Sequence, residues 1–244
     1  MIDIHTHILP GVDDGADSLE EAYEMALMAV RSGVKGLVAT PHSNQRMGFS
    51  DAERNRQDRA FRELEQLLLW EQVPLTLYRG MEVWSSIDMV EKLRTGKLIT
   101  LNQTPYVLIE FAFDEEPWWI EAIIGELKEA GLIPIVAHPE RYICVQEDPD
   151  LLYGWRAQGS LTQMNKGSIL GRFGRGIERT AEILLKNHLF TCIASDAHHA
   201  YIRTTDMKEL QYYLQKHYSL NEQERLLRQN PRSILQGIRI KHEI

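Results

Sequence analysis

Cysteine is scarce in this chain. Cys144 and Cys192 are the only two in 244 residues. Neither belongs to a Cys-x-x-Cys pair, which excludes a zinc ribbon and a thioredoxin-type motif, and two isolated thiols make no disulfide framework. Long apolar runs are also missing, since nothing approaches the roughly 20 residues that cross a bilayer. The opening Met1-Ile2-Asp3-Ile4-His5 lacks the basic and apolar regions of a signal peptide, so a cytoplasmic protein without membrane insertion is expected. Positive charge is in deficit: 27 Lys and Arg stand against 35 Asp and Glu, a net charge of −8. A general nucleic-acid binder needs a basic footprint, so no nucleic-acid partner is expected.

What the chain does have is alternation. Apolar segments at 2–5, 36–40, 75–83, 106–111, 133–137, 161–165 and 190–195 read as strands. Charged, periodic segments between them read as helices near 55–71, 86–95, 116–130, 149–158, 177–187 and 205–217. Ser18-x-x-Glu21 and Ser50-x-x-Glu53 have the form of capping boxes, and Asn230-Pro231 that of an N-cap with proline opening a last helix. This rhythm predicts an α/β fold with a parallel sheet, one domain over 1–244, either a barrel or an open doubly wound sheet.

Ligand-type side chains collect at the ends of these strands. They are His5-Thr6-His7, Pro41-His42, Gly80-Met81-Glu82, Ile109-Glu110, Ala137-His138-Pro139-Glu140-Arg141 and Ser195-Asp196-Ala197-His198. The C-terminal strand ends of a parallel barrel converge on one face, where active sites are built. An open sheet would spread the same residues along an edge. Histidine nitrogen and carboxylate oxygen without thiolate suit divalent manganese, iron or zinc. A buried Glu82 or Glu110 is costly unless paired or metal-bound, and a multinuclear site can activate water and clamp a phosphoryl group. Each motif alone is weak; His42 or His138 singly would more often be an ordinary hydrogen-bonded histidine. The joint placement carries the weight.

Other features read as ordinary structure. His188, His199 and His217 lack the strand-end placement and are expected at the surface or in local contacts. The glycine-rich stretch 167–176 lacks the Gly-Lys-Ser/Thr ending of a phosphate loop and reads as a βα loop bordering the pocket. Trp118 and Trp119 follow a helix start and are expected to pack in a core or interface.

As a set, the segments resemble the PHP superfamily, named for polymerase and histidinol phosphatase domains. The resemblance is closest to its bacterial protein-tyrosine phosphatase branch, encoded with capsular and extracellular polysaccharide genes in Gram-positive bacteria. It rests on the motifs above together with Gly11-Val12-Asp13-Asp14-Gly15, Thr40-Pro41-His42, Leu108-Ile109-Glu110-Phe111, Gln163-Met164-Asn165 and Asn230-Pro231-Arg232, and so covers nearly the whole chain. It implies a distorted (β/α)7 TIM-like barrel holding two or three divalent ions, manganese first. The implied ligands are His5, His7, Glu82 and Asp196 for one ion and Glu82, Glu110 and His138 for a second. His42, His198 and an aspartate of the Asp13-Asp14 pair would hold a third. Alignment selects Asp14, which is also a candidate acid.

Arg141 and Arg203 correspond to the family's phosphate-binding arginines, with Arg46 and Lys166 as possible additions to the positive charge. The implied activity is hydrolysis of protein phosphotyrosine on the tail of a bacterial tyrosine kinase that controls polysaccharide export. A thiol phosphatase is excluded, because the position six residues after each cysteine is Asp150 or His198, not arginine. A small-molecule phosphatase acting on histidinol phosphate, a phosphodiesterase or nuclease, and a metal-bound scaffold without turnover are the alternatives. The oligomeric state is left open.

Overall fold

The computed structural model describes residues 1–43 and 49–240; Arg46 lies outside them. Among the described residues, eight strands run in chain order: β1 (Ile2–Thr6), β2 (Gly36–Ala39), β3 (Thr76–Arg79), β4 (Glu82–Trp84), β5 (Tyr106–Glu110), β6 (Ile133–Ala137), β7 (Leu161–Asn165) and β8 (Cys192–Ala194). All pair in parallel, as β1-β2-β3 and as β4-β5-β6-β7-β8. Single bridges join the two sheets at both seams, His42 to Glu82 on one side and Thr6 to Ala197 on the other. The result is a barrel-like α/β fold with two stitched seams.

The segment 75–83, expected as one strand, is two. Gly80 sits at the break. A Cβ there would lie 2.7 Å from Val38 Cγ1 and 2.8 Å from Leu101 Cδ2, so only glycine lets the chain turn from one sheet into the other. The turn delivers Glu82 to the seam facing His42.

The helices are α1 (Leu19–Arg31), α2 (Asp51–Trp70), α3 (Met89–Arg94), α4 (Pro117–Glu129), α5 (Ile143–Glu147), α6 (Leu151–Gln158), α7 (Lys166–Ile169), α8 (Arg175–Lys186), α9 (Lys208–His217), α10 (Leu220–Glu224) and α11 (Asn230–Leu235). Ser50 and Glu53 form the expected capping box of α2. Ser18 caps α1, but the box is incomplete, because Glu21 accepts from Asp17 N rather than from the cap. Asn230 is not an N-cap. The helical run continues from α10 through a π-turn at Arg225–Gln229 into α11, and Asn230 Nδ2 donates to Thr191 O. The wide turn lies just ahead of Pro231, which has no N–H to give the helix. Among the described residues, no helix is long and apolar enough to cross a membrane.

Two apolar layers hold the sheets. An inner cluster of Ile4, Val38, Tyr106, Leu108, Ile135, Leu161, Cys192 and Ala194 fills the barrel. An outer layer, including Leu37, Val107, Val136 and Ile193, packs the strands against the helices. Alternation along each strand separates the two.

Candidate metal centre

The inner parity of the strands, followed to their C-terminal ends, gives the site. Tyr106 and Leu108 lead to Glu110 on β5. Cys192 and Ala194 lead to Asp196 beyond β8, and Val38 leads through Thr40 to His42 beyond β2. Three ligand-type residues break this parity, through two local causes. On β1 the register shifts between Asp3 and Thr6, so Ile4 faces the inner core while His5 and His7 face the site. Bulges of this kind re-aim side chains. His138 follows the inward Ala137 and turns in through a left-handed backbone at φ 33°. Asp196 and Arg203 are also left-handed, at φ 48° and 50°. Such backbone is strained for non-glycine residues and gathers at functional sites.

The expected residues meet. His5 Nε2 lies 3.2 Å from Glu82 Oε1 and 3.4 Å from Asp196 Oδ1, and His7 Nε2 lies 3.5 Å from the same Asp196 oxygen. His138 Nε2 is 3.0 Å from Glu82 Oε1 and 3.8 Å from Glu110 Oε1. His42 Nδ1 lies 3.0 Å from Glu82 Oε2 and 3.4 Å from Glu110 Oε2. Asp14 Oδ1 stands 3.4 Å from His42 Nε2 and 3.5 Å from His198 Nε2. Four overlapping groups could each hold an ion: His5, His7 and Asp196; His5, Glu82 and His138; His42, Glu82 and Glu110; and His7, Asp14, His42 and His198. Glu82 stands between the second and third of these.

The donor chemistry fits a cation. His5 Nδ1 faces Gln163 Oε1 at 2.8 Å, and His7 Nδ1 faces Asp13 Oδ2 at 2.8 Å. Both partners are acceptors, so both Nδ1 atoms carry the proton of the neutral rings. Two bare Nε2 lone pairs then face each other at 3.2 Å, among carboxylate oxygens. Glu82 Oε2 lies 3.2 Å from His7 Nε2 and 3.0 Å from His42 Nδ1 yet accepts no hydrogen bond from either. Buried atoms in that state need a positive charge between them.

The electrostatics agree. Burial pushes Glu82 upward, but His5 and His42 outweigh it and hold the carboxyl well below its usual range. Burial and the neighbouring Glu82 push Glu110 up to about 8. Burial lowers His42, yet Glu82 brings it to about 9.

Two outer groups, both within motifs the sequence reading quoted, have roles that it did not assign. Gln163 Nε2 donates to Asn165 Oδ1 at 2.9 Å, and Asn165 Nδ2 donates to Asp196 Oδ2 at 2.5 Å. With the His5 contact this makes a buried amide relay from His5 to Asp196. Asp13 is the other. It does not face His198; its Oδ2 takes His7 Nδ1 and the His42 backbone N–H, at 2.8 and 3.0 Å. The only sequence signals were the Gln-x-Asn spacing on a buried strand and the doubled aspartate.

The two arginines flank the cluster. Arg203 Nη2 donates to Asp196 Oδ2 at 2.5 Å, and Arg141 Nη1 stands 3.6 Å from the same oxygen. Arg203 Nε is buried without an acceptor. Asp196 thus turns one oxygen to the imidazoles and the other to the guanidinium groups.

Lys166 does not add to this charge. Its ammonium is buried and donates to the carbonyls of Thr204 and Asp206, the latter at 2.6 Å. Cys192 is a core residue whose thiol burial pushes up. His199 contacts Glu21 and stacks on Tyr201, His217 lies against Tyr213, and His188 is exposed. Trp119 packs on the outer core, whereas Trp118 stands 66% exposed.

Residues 1–236 match the family described as capsular polysaccharide synthesis, CpsB/CapC. The chain belongs to the CpsB/CapC family. It is 37% identical over 236 residues to the tyrosine-protein phosphatase YwqE of Bacillus subtilis (strain 168), covering 94% of this chain and 92% of that one. It superposes with a TM-score of 0.88 and 34% identity on a chain from the crystal structures of YwqE from Bacillus subtilis and CpsB from Streptococcus pneumoniae, described as unique metal-dependent tyrosine phosphatases. That match covers 99% of this chain and 96% of the other. The histidinol phosphate phosphatase of Lactococcus lactis subsp. lactis Il1403, solved with zinc, L-histidinol and phosphate, shares the fold at a TM-score of 0.56 and 13% identity, over 89% of this chain and 94% of that one. The CpsB/CapC chain is thus built on the α/β architecture expected from the strand rhythm, with the acidic and histidine-rich rim at the strand ends.

Proposed function

We propose that this chain is a metal-dependent protein-tyrosine phosphatase, a phosphoric monoester hydrolase acting in capsular polysaccharide synthesis. The observation that carries it is Asp196, whose two oxygens link the histidine–carboxylate cluster to the two arginines. One ion would be held by His5, His7, Glu82 and Asp196. A second would be held by Glu82, Glu110 and His138, and a third by Asp14, His42 and His198. Nitrogen and carboxylate ligands without thiolate suit manganese, iron or zinc, and the family resemblance puts manganese first. Bound ions supply activation of water at neutral pH and charge neutralisation at phosphoryl oxygens.

The chain's own residues supply the rest. Arg141 and Arg203 offer planar forks of N–H donors that match two phosphoryl oxygens at once, and the unpaired Arg203 Nε is one donor awaiting such an oxygen. Gln163 keeps the proton of His5 on Nδ1 and thereby its Nε2 free. Asp14 is 66% exposed at its side chain, unlike Glu82 at 1%; where it does not itself hold an ion, it is the acid placed to return a proton to the leaving tyrosine oxygen. Cys192 is fully buried in the core and offers no nucleophile to the site.

The substrate we assign is a phosphotyrosine protein, the flexible tail of a cytoplasmic bacterial tyrosine kinase. Phosphate release from a phosphotyrosine peptide and from histidinol phosphate, measured side by side with manganese and with chelator, tests this. Faster cleavage of the peptide, abolished by chelator, is expected. Preference for histidinol phosphate would leave the metal centre standing and overturn the substrate.

A further inference from the structure

The glycine-rich stretch 167–176 leaves β7 beside the site and carries Phe173, a half-buried ring. The Arg141 Cζ atom lies 4.7 Å from the centre of that ring and 4.3 Å from the centre of Phe113. The Arg203 Cζ atom lies 5.7 Å from the same Phe173 ring. A single side chain therefore borders both guanidinium groups, which arrive from segments far apart in sequence.

The loop that carries Phe173 is tied to both segments. On one side Glu140, the neighbour of Arg141, accepts from Asn165 N at 2.9 Å and from Ser168 Oγ at 2.6 Å. On the other, Lys166 Nζ donates to the carbonyls of Thr204 and Asp206, next to Arg203. Gly167 is where the ring rests: a Cβ there would lie 2.8 Å from Phe173 Cε2 and 2.9 Å from Cζ.

The way an arginine is held matters for what it can bind. Fixing a guanidinium with carboxylates consumes its N–H edges. An aromatic ring holds it by the flat face instead, so that beyond the one Nη each turns to Asp196 the remaining N–H donors stay available to an oxyanion. We propose that Phe173 is a positioning residue that sets Arg141 and Arg203 edge-on toward a phosphoryl group, with Phe113 as a second ring against Arg141 and the glycine-rich loop as the frame. This deepens the phosphatase reading and rests on it for the nature of the oxyanion.

The test uses the full chain loaded with manganese and inorganic phosphate as the probe. Dissociation constants are measured by calorimetry, alongside metal content, melting temperature, and kcat and KM for a phosphotyrosine peptide. Phe173→Leu keeps the apolar bulk and removes the aromatic face. It is expected to weaken phosphate binding about 5- to 20-fold, with metal content unchanged and KM raised more than kcat is lowered. Gly167→Ala displaces the ring without touching either arginine and should weaken phosphate in the same direction. Phe173→Trp should bind phosphate within about 2-fold of the parent, because it restores the face. Arg172→Ala, in the same loop but exposed and paired with Glu209, should change nothing.

Parental phosphate affinity in a folded, metal-loaded Phe173→Leu protein overturns the proposal. If that variant does not fold, Gly167→Ala and Phe173→Trp decide: equal affinity in Gly167→Ala and the parent, or loss in Phe173→Trp, overturns it. The two readings separate cleanly. Weakened phosphate binding in a protein whose parent cleaves no phosphotyrosine keeps the positioning role and sinks the substrate. Normal cleavage with unchanged phosphate affinity in the variants does the reverse.

Discussion

His5 Nε2 and His7 Nε2 stand 3.2 Å apart while the far nitrogen of each ring is already committed to an oxygen, Gln163 Oε1 for His5 and Asp13 Oδ2 for His7. Two neutral imidazoles so arranged point lone pairs at one another. Something positive must lie between them. Without an ion, that is a proton. Burial pulls both rings down, but Glu82 and Asp196 raise His5, and Asp13 raises His7 well above its ordinary value.

A divalent ion entering this centre should therefore expel protons. A raised pKa means that protons are held more tightly, and an ion must displace them to bind. Manganese titration of metal-free protein by calorimetry, in two buffers of different ionisation enthalpy, is expected to show net proton release at pH 7 and an apparent affinity that falls as pH is lowered. At about 100 times its dissociation constant, an ion stabilises the fold by about 2.7 kcal/mol, so chelator should lower the melting temperature by roughly 5–10 °C. Binding with no proton exchange would sink the account of these two histidines.

Gln163 is expected to act on the metal without touching it. Its carbonyl keeps the His5 proton on Nδ1, and its amide orients Asn165 against Asp196. Gln163→Leu keeps the volume and removes both contacts. Metal affinity should drop about 10- to 100-fold, and leaving the His5 Nδ1 donor and the Asn165 Oδ1 acceptor unpaired should cost about 1–3 kcal/mol. Manganese titration and urea unfolding measure the two effects separately. Unchanged affinity in the folded variant would show that the relay is packing only.

Much of this centre was legible in the sequence, because a parallel α/β rhythm puts strand ends on one rim and the ligand-type residues lie at those ends. The paired strands, the convergence of His5, His7, Glu82, Asp196 and the other cluster residues, and the capping box of α2 all follow from local rules. What escaped depends on backbone events that leave little trace in residue type. The break at Gly80 hides inside an apolar run. The register shift in β1 lets Ile4 and His5 serve adjacent layers. Gln163 reads as one polar residue on a strand until the barrel sets its amide against His5. Phe173 looks like loop filler until the glycines around it bring its ring under two arginines.

Arg141 and Arg203 come next. Each offers a planar fork, and an ammonium in its place is a single point charge. Arg141→Lys and Arg203→Lys should each lower kcat/KM for a phosphotyrosine peptide, on the order of 10²-fold if the lost donors face charge that develops in the reaction. Manganese content should stay at the parental level, since neither guanidinium belongs to the proposed ligand groups. Loss of metal in either variant would show that the pair with Asp196 holds the centre together rather than the substrate.

Asp13 and Asp14 are adjacent in sequence and should behave oppositely. Asp13 accepts from His7 Nδ1, His42 N and Gly15 N. Burial pushes its pKa up, but His7 outweighs this and holds it down at about 2, against an ordinary 3.8. A folded value below the unfolded one means stability that is present above about pH 4 and lost as pH falls through about 2. Asp13→Asn should therefore unfold earlier in urea at pH 6 by about 2 kcal/mol, and the gap to the parent should close toward pH 2. Asp14 has an exposed side chain beside His42 and His198. Asp14→Asn should keep the parental urea midpoint in metal-free protein, lose one equivalent of manganese and lose activity. The opposite pattern, with metal lost in Asp13→Asn and kept in Asp14→Asn, would exchange the roles of the two residues.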